Sequence, residues 1–252
     1  MYLSSNIFRI CFLGLLVLSG YSKAELISGW DFQTTGTGGT AVAFSPATPK
    51  RYFANFGSGT IYFDGTNGSS DWFVPPSGNT GTELDAANGT RYNLGPGFER
   101  NMFGAAALAL FDTSANGKSA VFRFSMNGFR DLEVSYAAER GFSGFQSHTW
   151  ASSIDGVNWV EQQTISPIFT LYESMSLNTI RSLDNASNAY LRLTFFGATN
   201  SNNNSYNRLD NIQFNASAVP EPTSWLLISS ISLAPALLRL RRTFVQPPAA
   251  RS

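Results

Sequence analysis

The chemistry available to this chain is narrow, because its 252 residues include one histidine and one cysteine. A Ser-His-Asp triad would have to use His148, yet no G-x-S-x-G turn presents a serine for it. A zinc site of the H-E-x-x-H type needs a second histidine, which the chain lacks. His148 also stands two residues before Trp150 in a predicted strand, where a lone histidine is typical of a structural or an exposed strand residue. We therefore expect no catalytic, cofactor-binding or metal site based on histidine.

Paired carboxylates hydrolyse glycosides without histidine when two of them face each other across a cleft. Asp131 with Glu133, or Glu99, are candidates, but the sequence does not show which acids meet in space. In a domain with this many acidic residues, some two carboxylates always lie close together by chance, so such a pair is weak evidence for hydrolysis. A secreted carbohydrate-active hydrolase with dispersed carboxylates is therefore the alternative function, and we expect the protein not to be an enzyme.

Calcium is the ion that carboxylate and carbonyl oxygens suit best. If residues 27–32 form a strand beside the last strand, Asp31 would lie near Asp210 and Asn211. No stretch has the regular spacing of a calcium-binding loop. We therefore expect Asp210 and Asn211 to shape the end of a strand, and we predict no cofactor.

Exposed aromatic side chains can stack on sugar rings, which would give a binding function without catalysis. Most tryptophans in a domain of this size belong to the core, so at most one or two should lie on the surface. Attachment to ice or to a mineral is a third possibility, but it needs a flat threonine array, and Thr34, Thr35 and Thr37 do not extend into one. The aromatic candidates are Trp30, Trp72, Trp150, Trp159, Tyr92, Tyr172 and Tyr206.

Charge is unevenly placed along the chain, although its formal total is zero. Residues 25–218 hold 16 aspartates and glutamates against 11 lysines and arginines, a formal charge of −5. An acidic domain presents no basic surface that would bind the phosphate backbone of a nucleic acid. We therefore exclude nucleic acid as a partner.

Residues 1–24 are typical of a cleavable export signal. Ile10–Leu18 form an apolar run after an arginine, and this run is too short to span a bilayer comfortably. Small residues mark a predicted cut between Ala24 and Glu25. The cut would remove Cys11, so the mature domain would have no thiol and no disulfide. An uncleaved anchor or a buried first strand is the alternative.

The C-terminal part of the chain contains three elements in a fixed order. Prolines flank Glu221 and keep the backbone extended, as a protease groove requires. The apolar segment Trp225–Leu238 would be ~21 Å long as a helix, shorter than the ~30 Å hydrocarbon core, which suits a temporary transmembrane helix. Basic residues follow and would remain in the cytoplasm. The motif is Val219-Pro220-Glu221-Pro222, and the basic cluster is Arg239, Arg241 and Arg242.

These elements resemble the PEP-CTERM sorting signal of Gram-negative bacteria, in which a Pro-Glu-Pro motif, a helix and a basic cluster occur in this order. The resemblance implies that an exosortase, a membrane cysteine transpeptidase, recognises and cuts the tail after the export machinery has delivered it. It also implies transient anchoring in the inner membrane, then delivery to the cell surface or the extracellular matrix. This tail departs from the family because it continues through Thr243–Ser252. An ordinary membrane anchor is the alternative.

Between the two ends, apolar residues recur at every second position. Such alternation predicts strands with one buried face, packed as an all-β, two-layer antiparallel β-sandwich. We expect residues 27–32 to pair beside a last strand over 208–214. The predicted inward residues are Ala120, Phe122, Phe124 and Met126; Leu132, Val134 and Tyr136; and Leu191, Leu193 and Phe195.

The Asp155-Gly156 turn predicts a hairpin between Trp150–Ile154 and Val157–Val160. The string S-I-D-G-V-N-W around this turn resembles a hairpin of discoidin-like and other jelly-roll modules, which implies a jelly-roll-like fold. The second half of the domain also resembles a recurring bacterial surface domain found ahead of such tails, whose molecular activity is undefined. The residues that carry this second resemblance are 131–137, the hairpin, 190–194 and 208–212.

The sequence thus divides into a signal peptide (1–24), a β-sandwich domain (25–218), a sorting tail (219–242) and a short extension (243–252). We expect an exported, non-enzymatic surface or extracellular-matrix protein that an exosortase sorts. Exposed aromatic residues would let it bind or organise exopolysaccharide. No sequence feature names the ligand.

Overall fold

The computed structural model describes residues 23–33, 50–75, 81–99, 106–201 and 205–219. Those between Lys23 and Ala218 belong to one compact unit. Apart from a single 3-10 turn, Thr113–Ala115, every regular element in these ranges is a strand. No helix within them is long and apolar enough to cross a membrane. The predicted transmembrane helix, Trp225–Leu238, lies outside the described residues.

The described residues form thirteen strands in two antiparallel sheets, which establishes the all-β class predicted from the alternation. The first sheet has seven strands and the second has six. In chain order the strands are β1 (Glu25–Trp30), β2 (Arg51–Phe53), β3 (Phe56–Gly57), β4 (Thr60–Tyr62), β5 (Leu84–Ala87), β6 (Ala107–Phe111), β7 (Ser119–Phe124), β8 (Phe129–Arg140), β9 (Ser147–Ser153), β10 (Val160–Ile165), β11 (Glu173–Ser176), β12 (Ala189–Phe196) and β13 (Tyr206–Ala218).

The last strand, β13, lies in the middle of the first sheet, whose order is β11-β8-β13-β1-β3. β8 pairs with one edge of β13. The other edge pairs first with β6, where Leu209 lies opposite Leu108, and then with β1, where Ile212 lies opposite Trp30. The prediction that 27–32 pairs beside the last strand is therefore confirmed.

A bulge in β13 marks the point where its partner changes. The register to β8 shifts between Asp210 and Gln213, and Asn211 adopts a φ of 49°. Asparagine tolerates this left-handed conformation better than most residues, and a bulge leaves one residue unpaired. Asp210 and Asn211 thus lie at an internal bulge and not at a strand end, because β13 extends four residues beyond the predicted 208–214.

The second sheet has the order β10-β9-β12-β7-β4-β2, and its inner face packs against that of the first sheet. Trp30 links the layers, with its ring centroid 5.3 Å from that of Phe122 and 5.2 Å from that of Phe214. Trp150 stacks on Phe122, with the ring centroids 5.5 Å apart. All the predicted inward residues of the three alternating stretches are buried, which confirms the phase of those strands.

The predicted β9–β10 hairpin is present, but its second strand begins at Val160 and not at Val157. The Asp155 carboxylate explains the difference. One of its oxygens accepts the backbone N–H groups of Val157 and Asn158, each at 2.8 Å. These hydrogen bonds take the donors that a strand would need, so the turn is longer than the Asp-Gly pair alone.

Candidate functional site

The outer face of the second sheet presents arginines, aromatic rings and hydroxyl groups in register. Directly paired residues of antiparallel strands project from the same side of a sheet. Because Leu191 and Phe122 are buried in the core, Arg192 and Arg123 project outward. The face consists of three rows across the strands: Glu161, Ala151, Arg192, Val121, Tyr62 and Arg51; Ser153, Tyr190, Arg123, Thr60 and Phe53; and Thr164, Thr149, Thr194 and Ser119.

Trp159, which follows the β9–β10 turn, packs onto this face. Its ring is half-buried, and the centroid lies 4.5 Å from the Arg192 guanidinium carbon. The loop over residues 64–71 approaches the same ring, since a Cβ on Gly68 would lie 3.1 Å from it and 3.0 Å from the Gly156 carbonyl oxygen. Gly68 also has a φ of 81°, a backbone conformation that a residue with a side chain would adopt only with strain. Glycine at this position therefore lets the loop approach Trp159 closely.

Two further arginines lie over aromatic rings of the same face. The Arg123 guanidinium is 5.9 Å from the centroid of Tyr190, and that of Arg51 is 5.1 Å from the centroid of Tyr62. Cation–π contacts at exposed sites contribute roughly 0.5–1 kcal/mol each. Each ring restricts its guanidinium, so less rotamer freedom remains to be lost when a ligand binds.

The local charge of this face is positive, although residues 25–218 are acidic. Arg51 forms an ion pair with Asp64 at 2.7 Å. Within the described ranges no carboxylate lies within ion-pair distance of Arg123 or Arg192. Partial burial lowers the pKa of Arg192, but arginine starts so high that it stays charged at neutral pH. Two positive charges on this face therefore lack an internal counter-ion.

Hydroxyl groups form the third row. Thr149 Oγ1 and Thr164 Oγ1 are 2.9 Å apart, and Thr194 lies opposite both Thr149 and Ser119. Hydroxyls donate and accept hydrogen bonds with freely rotating hydrogens. Ser119 is buried, so a ligand that is itself rich in hydroxyl groups can reach only the three threonines of this row.

The structure places three of the four candidate tryptophans inside the core. Trp30, Trp72 and Trp150 are fully buried, and the indole N–H of Trp72 donates to the carbonyl of Ser119 at 3.0 Å. The expectation that most tryptophans belong to the core is confirmed. Trp159 is the exception, because its ring belongs to the outer face.

His148 belongs to a buried hydrogen-bond network, as expected for a structural histidine. The Asn207 amide donates to the Phe145 carbonyl at 3.0 Å and to His148 Nε2 at 2.9 Å, so Nε2 is unprotonated. Nδ1 then carries the proton and donates to the Tyr136 hydroxyl at 3.1 Å, which also accepts the Trp150 N–H at 3.3 Å. Burial lowers the pKa of His148 to about 3, and the imidazole is neutral.

The bulge in β13 brings Asp31 and Asp210 together, as predicted from the pairing of β1. Both carboxylates are fully buried. Burial, and then the charge of Asp31, raises the pKa of Asp210 well above its usual value. Asp210 accepts the backbone N–H groups of Thr90 and Asn211, each at 2.8 Å. The ranges that the structure describes contain no group of three metal-ligating His, Cys, Asp or Glu side chains.

Hydrogen bonds around this junction hold the loop over residues 88–99 on the outer face of the first sheet. The Asn211 amide donates to the carbonyls of Thr90 and Tyr92 at 3.0 and 2.9 Å, and the Gln213 amide donates to the Asn93 carbonyl at 2.6 Å. Asp210 lies beneath this loop with no exposed surface. The pair Asp31 and Asp210 is therefore buried and structural, and no large substrate can reach it.

The acids considered for hydrolysis do not converge on one cleft. Asp131 forms ion pairs with Arg181 at 2.9 Å and Arg130 at 3.6 Å. Glu133 lines a depression of about 280 Å³, but Asp131 does not. Glu99 donates its backbone N–H to Asp31 and lies on the loop over residues 88–99. These three acids occupy separate environments.

No protein-family model matches the chain, and no curated protein matches it. Solved structures show weak likenesses. A Clostridium thermocellum xylanase 10B structure of CBM22-1 and GH10 modules with xylohexaose has 13% identity and a TM-score of 0.36, covering 53% of this chain and only 24% of that chain. A CBM4 structure has 10% identity and a TM-score of 0.37, covering 64% of this chain and 87% of that chain. The K2 adhesin domain of Lys-gingipain has 13% identity and a TM-score of 0.33, covering 55% and 93%. TM-scores this low carry no inference about ligand or activity.

The residues of the predicted processing sites lie at the edges of the domain or beyond it. Ala24 directly precedes β1, whose first residue, Glu25, pairs with Ala216. Val219 is exposed directly after β13. Pro220, Glu221 and Pro222 of the sorting motif, and the cluster of Arg239, Arg241 and Arg242, lie outside the described residues.

The inward positions predicted for β7 and β12 imply that Arg123 and Arg192 project outward, but not that the two arginines are close together. Alternation places each arginine on the polar side of its strand. It does not show that β7 and β12 are neighbours, because strand order is a tertiary property. The sequence alone therefore does not predict that the arginines, Trp159 and the hydroxyls form one surface.

Proposed function

We propose that the protein is an exported, non-catalytic surface protein that binds exopolysaccharide through the outer face of its second sheet. The observation that supports this most directly is the half-buried Trp159 ring over Arg192, beside a row of hydroxyl groups. A flat indole face accommodates the apolar side of a sugar ring, while hydroxyl and guanidinium groups bond its edge. Because paired strands hold these side chains, the surface is formed before the ligand arrives.

Hydrolysis is less well supported than binding. A glycosidase needs two accessible carboxylates facing the same cleft. Asp210 is inaccessible, Asp131 is held by arginines, and Glu133 lines a depression without a second candidate acid. These observations favour a binding role.

The binding proposal is tested with Trp159→Ala in the purified protein, using affinity electrophoresis in gels that contain the exopolysaccharide of the producing cells. Loss of a central aromatic contact should weaken binding at least about tenfold. Tyr92→Ala is the matched control, because Tyr92 is 54% exposed on the loop that covers the first sheet. Thermal unfolding of both variants checks that the fold is retained. Equal retardation of wild type and folded Trp159→Ala protein would refute the role of this face.

We also propose that an exosortase releases the domain from a temporary membrane anchor at the Pro220-Glu221-Pro222 motif. One structural observation supports this, and a parallel one supports removal of the signal peptide. β1 begins at Glu25, so a cut after Ala24 leaves every described strand intact. β13 ends at Ala218, so a cut in the motif also leaves the sandwich complete. Both predicted processing sites therefore flank the folded unit without entering it.

The sorting proposal is tested with Glu221→Ala and with deletion of residues 239–242. Glu221 lies between two residues without amide donors, and its carboxylate suits a cationic recognition pocket. We expect both variants to remain in the inner membrane at their full mass after signal removal, whereas Glu173→Ala, at an exposed glutamate of β11, should be sorted normally. Cell fractionation and mass spectrometry give the result. Normal trimming and release of both tail variants would contradict the proposal.

A further inference from the structure

We infer that the outer face of the second sheet selects acidic polysaccharides, through Arg123 and Arg192, in preference to neutral ones. This inference rests on the proposed binding function and specifies its ligand class. The relevant chemical groups on the ligand are anionic: uronate carboxylates or sulfate esters.

The first argument is the placement of charge. Most basic side chains of the described residues are paired internally, including Lys118 with Glu83, Arg181 with Asp131 and Arg208 with Glu139. Arg123 and Arg192 have no such carboxylate partner in that part of the chain. A domain with an excess of acids thus leaves two guanidinium groups unneutralised on the face that carries Trp159.

The second argument is geometry. Arg123 lies opposite Tyr190 and Arg192 opposite Val121 in the pairing of β7 with β12, so the arginines are diagonal neighbours on adjacent strands. Diagonal neighbours are about 7 Å apart at Cβ. One chain of sugars lying on the face can therefore reach both guanidinium groups.

The third argument is the state of the two guanidinium groups. Each is held from one side by a ring, at 4.5 Å for Arg192 and 5.9 Å for Arg123. Arg123 uses one N–H on the Asn188 side-chain oxygen at 3.0 Å, which leaves other donors free. A guanidinium fork binds carboxylate or sulfate oxygens bidentately, whereas neutral hydroxyls gain much less from it.

Nucleic acid is a poorer fit than an acidic polysaccharide. Duplex DNA carries one charge per about 1.7 Å of its axis and needs several phosphate contacts. Two free arginines on a domain with a formal charge of −5 supply few such contacts. Binding to DNA is kept as an outcome of the test.

The experiment compares polygalacturonate with its fully methyl-esterified form, which has the same sugar backbone without charge. Dextran sulfate and dextran provide the same comparison for sulfate. The protein variants are Arg123→Gln, Arg192→Gln and the double variant, with Arg91→Gln as control, because Arg91 is exposed on the loop over residues 88–99. Thermal unfolding confirms that each variant is folded.

We expect the wild type to bind at least one acidic polymer about tenfold more tightly than its neutral counterpart. Each single variant should lose roughly tenfold in affinity for that polymer, as removal of a charged hydrogen-bond partner does. Binding should weaken as salt rises, because exposed charges are screened. The Arg91→Gln protein should bind like the wild type.

The outcomes separate this inference from the proposed function. Equal binding of charged and neutral polymers, with loss on Trp159→Ala, would overturn the inference and leave the binding function intact. Absence of binding to every polysaccharide, including the exopolysaccharide of the producing cells, would overturn both. DNA binding that depends on Arg123 and Arg192 would also overturn the inference, since the selectivity would then be for polyanions in general.

Discussion

Acidification should destabilise the fold through the buried His148. The imidazole is neutral in the core, where burial lowers its pKa from 6.5 to about 3. As the pH falls below 6.5, His148 is therefore protonated in the unfolded chain but stays neutral in the folded protein. The stabilisation is fully present above pH 6.5 and is lost as the pH falls from there toward the folded value.

The size of this effect follows from the two pKa values. Each pH unit between them is worth about 1.4 kcal/mol. At pH 4.5 the folded protein should have lost roughly 2.5–3 kcal/mol of its free energy of unfolding through this one group. Asp210 and Glu139 act in the opposite direction, because burial raises the pKa of each and the folded state then binds protons more readily. Wild-type data alone would mix these contributions.

The assay is urea unfolding of the wild type and His148→Gln at pH 7 and pH 4.5. The glutamine amide oxygen lies near the position of Nε2 and can accept from Asn207, but it does not titrate. We expect the wild type to be the more stable at pH 7, and the difference in free energy of unfolding to shrink by about 2.5 kcal/mol at pH 4.5. A difference that stays constant between the two pH values would refute a buried, neutral His148.

Two further predictions follow from local geometry, and a third follows from the sequence. In urea titrations, Gly57→Ala should lower the free energy of unfolding by at least about 2 kcal/mol more than Gly128→Ala does. Both glycines have a positive φ, but a Cβ at Gly57 would lie 2.0 Å from the Ile27 carbonyl oxygen, whereas a Cβ at Gly128 would contact none of the described residues. Equal losses would contradict this steric argument. Asp155→Ala should lower the melting temperature more than Asp155→Asn, because an amide oxygen still accepts turn N–H groups; calorimetry that shows the reverse order would contradict it. N-terminal sequencing of the exported protein should begin at Glu25, and a chain that retains its first residues would disprove signal cleavage.

Strand phase was predictable from the sequence because burial has a period of two. The pattern Leu191-Arg192-Leu193 assigns the inner and outer sides of β12 without any knowledge of its neighbours. The sequence also predicts the pairing of β1 beside β13. The sequence does not predict the bulge at Asn211, because the position of the bulge depends on where β6 and β1 succeed each other along the edge of β13.

The outer face was less predictable than the core for a physical reason. Core residues share one property, apolarity, that composition and periodicity reveal. Trp159 is as apolar as Trp150, but it follows the longer turn made by Asp155 and its ring packs on the outer face. The contacts among Trp159, Arg192 and Gly68 depend on chain segments far apart in sequence, so no local pattern predicts them.

The position of β13 also determines how the domain would respond to tension. β13 is bonded along one edge to β8 and along the other to β6 and β1, and the tail follows it directly. A pull at Ala218 acts along the strand, across hydrogen bonds that are perpendicular to it, so many bonds are sheared together and none is peeled alone. Slippage by one residue would also turn Ile212 and Phe214 out of the core. A load applied to the second sheet would thus be transmitted through the aromatic core to β13, a strand that is hydrogen-bonded along both of its edges.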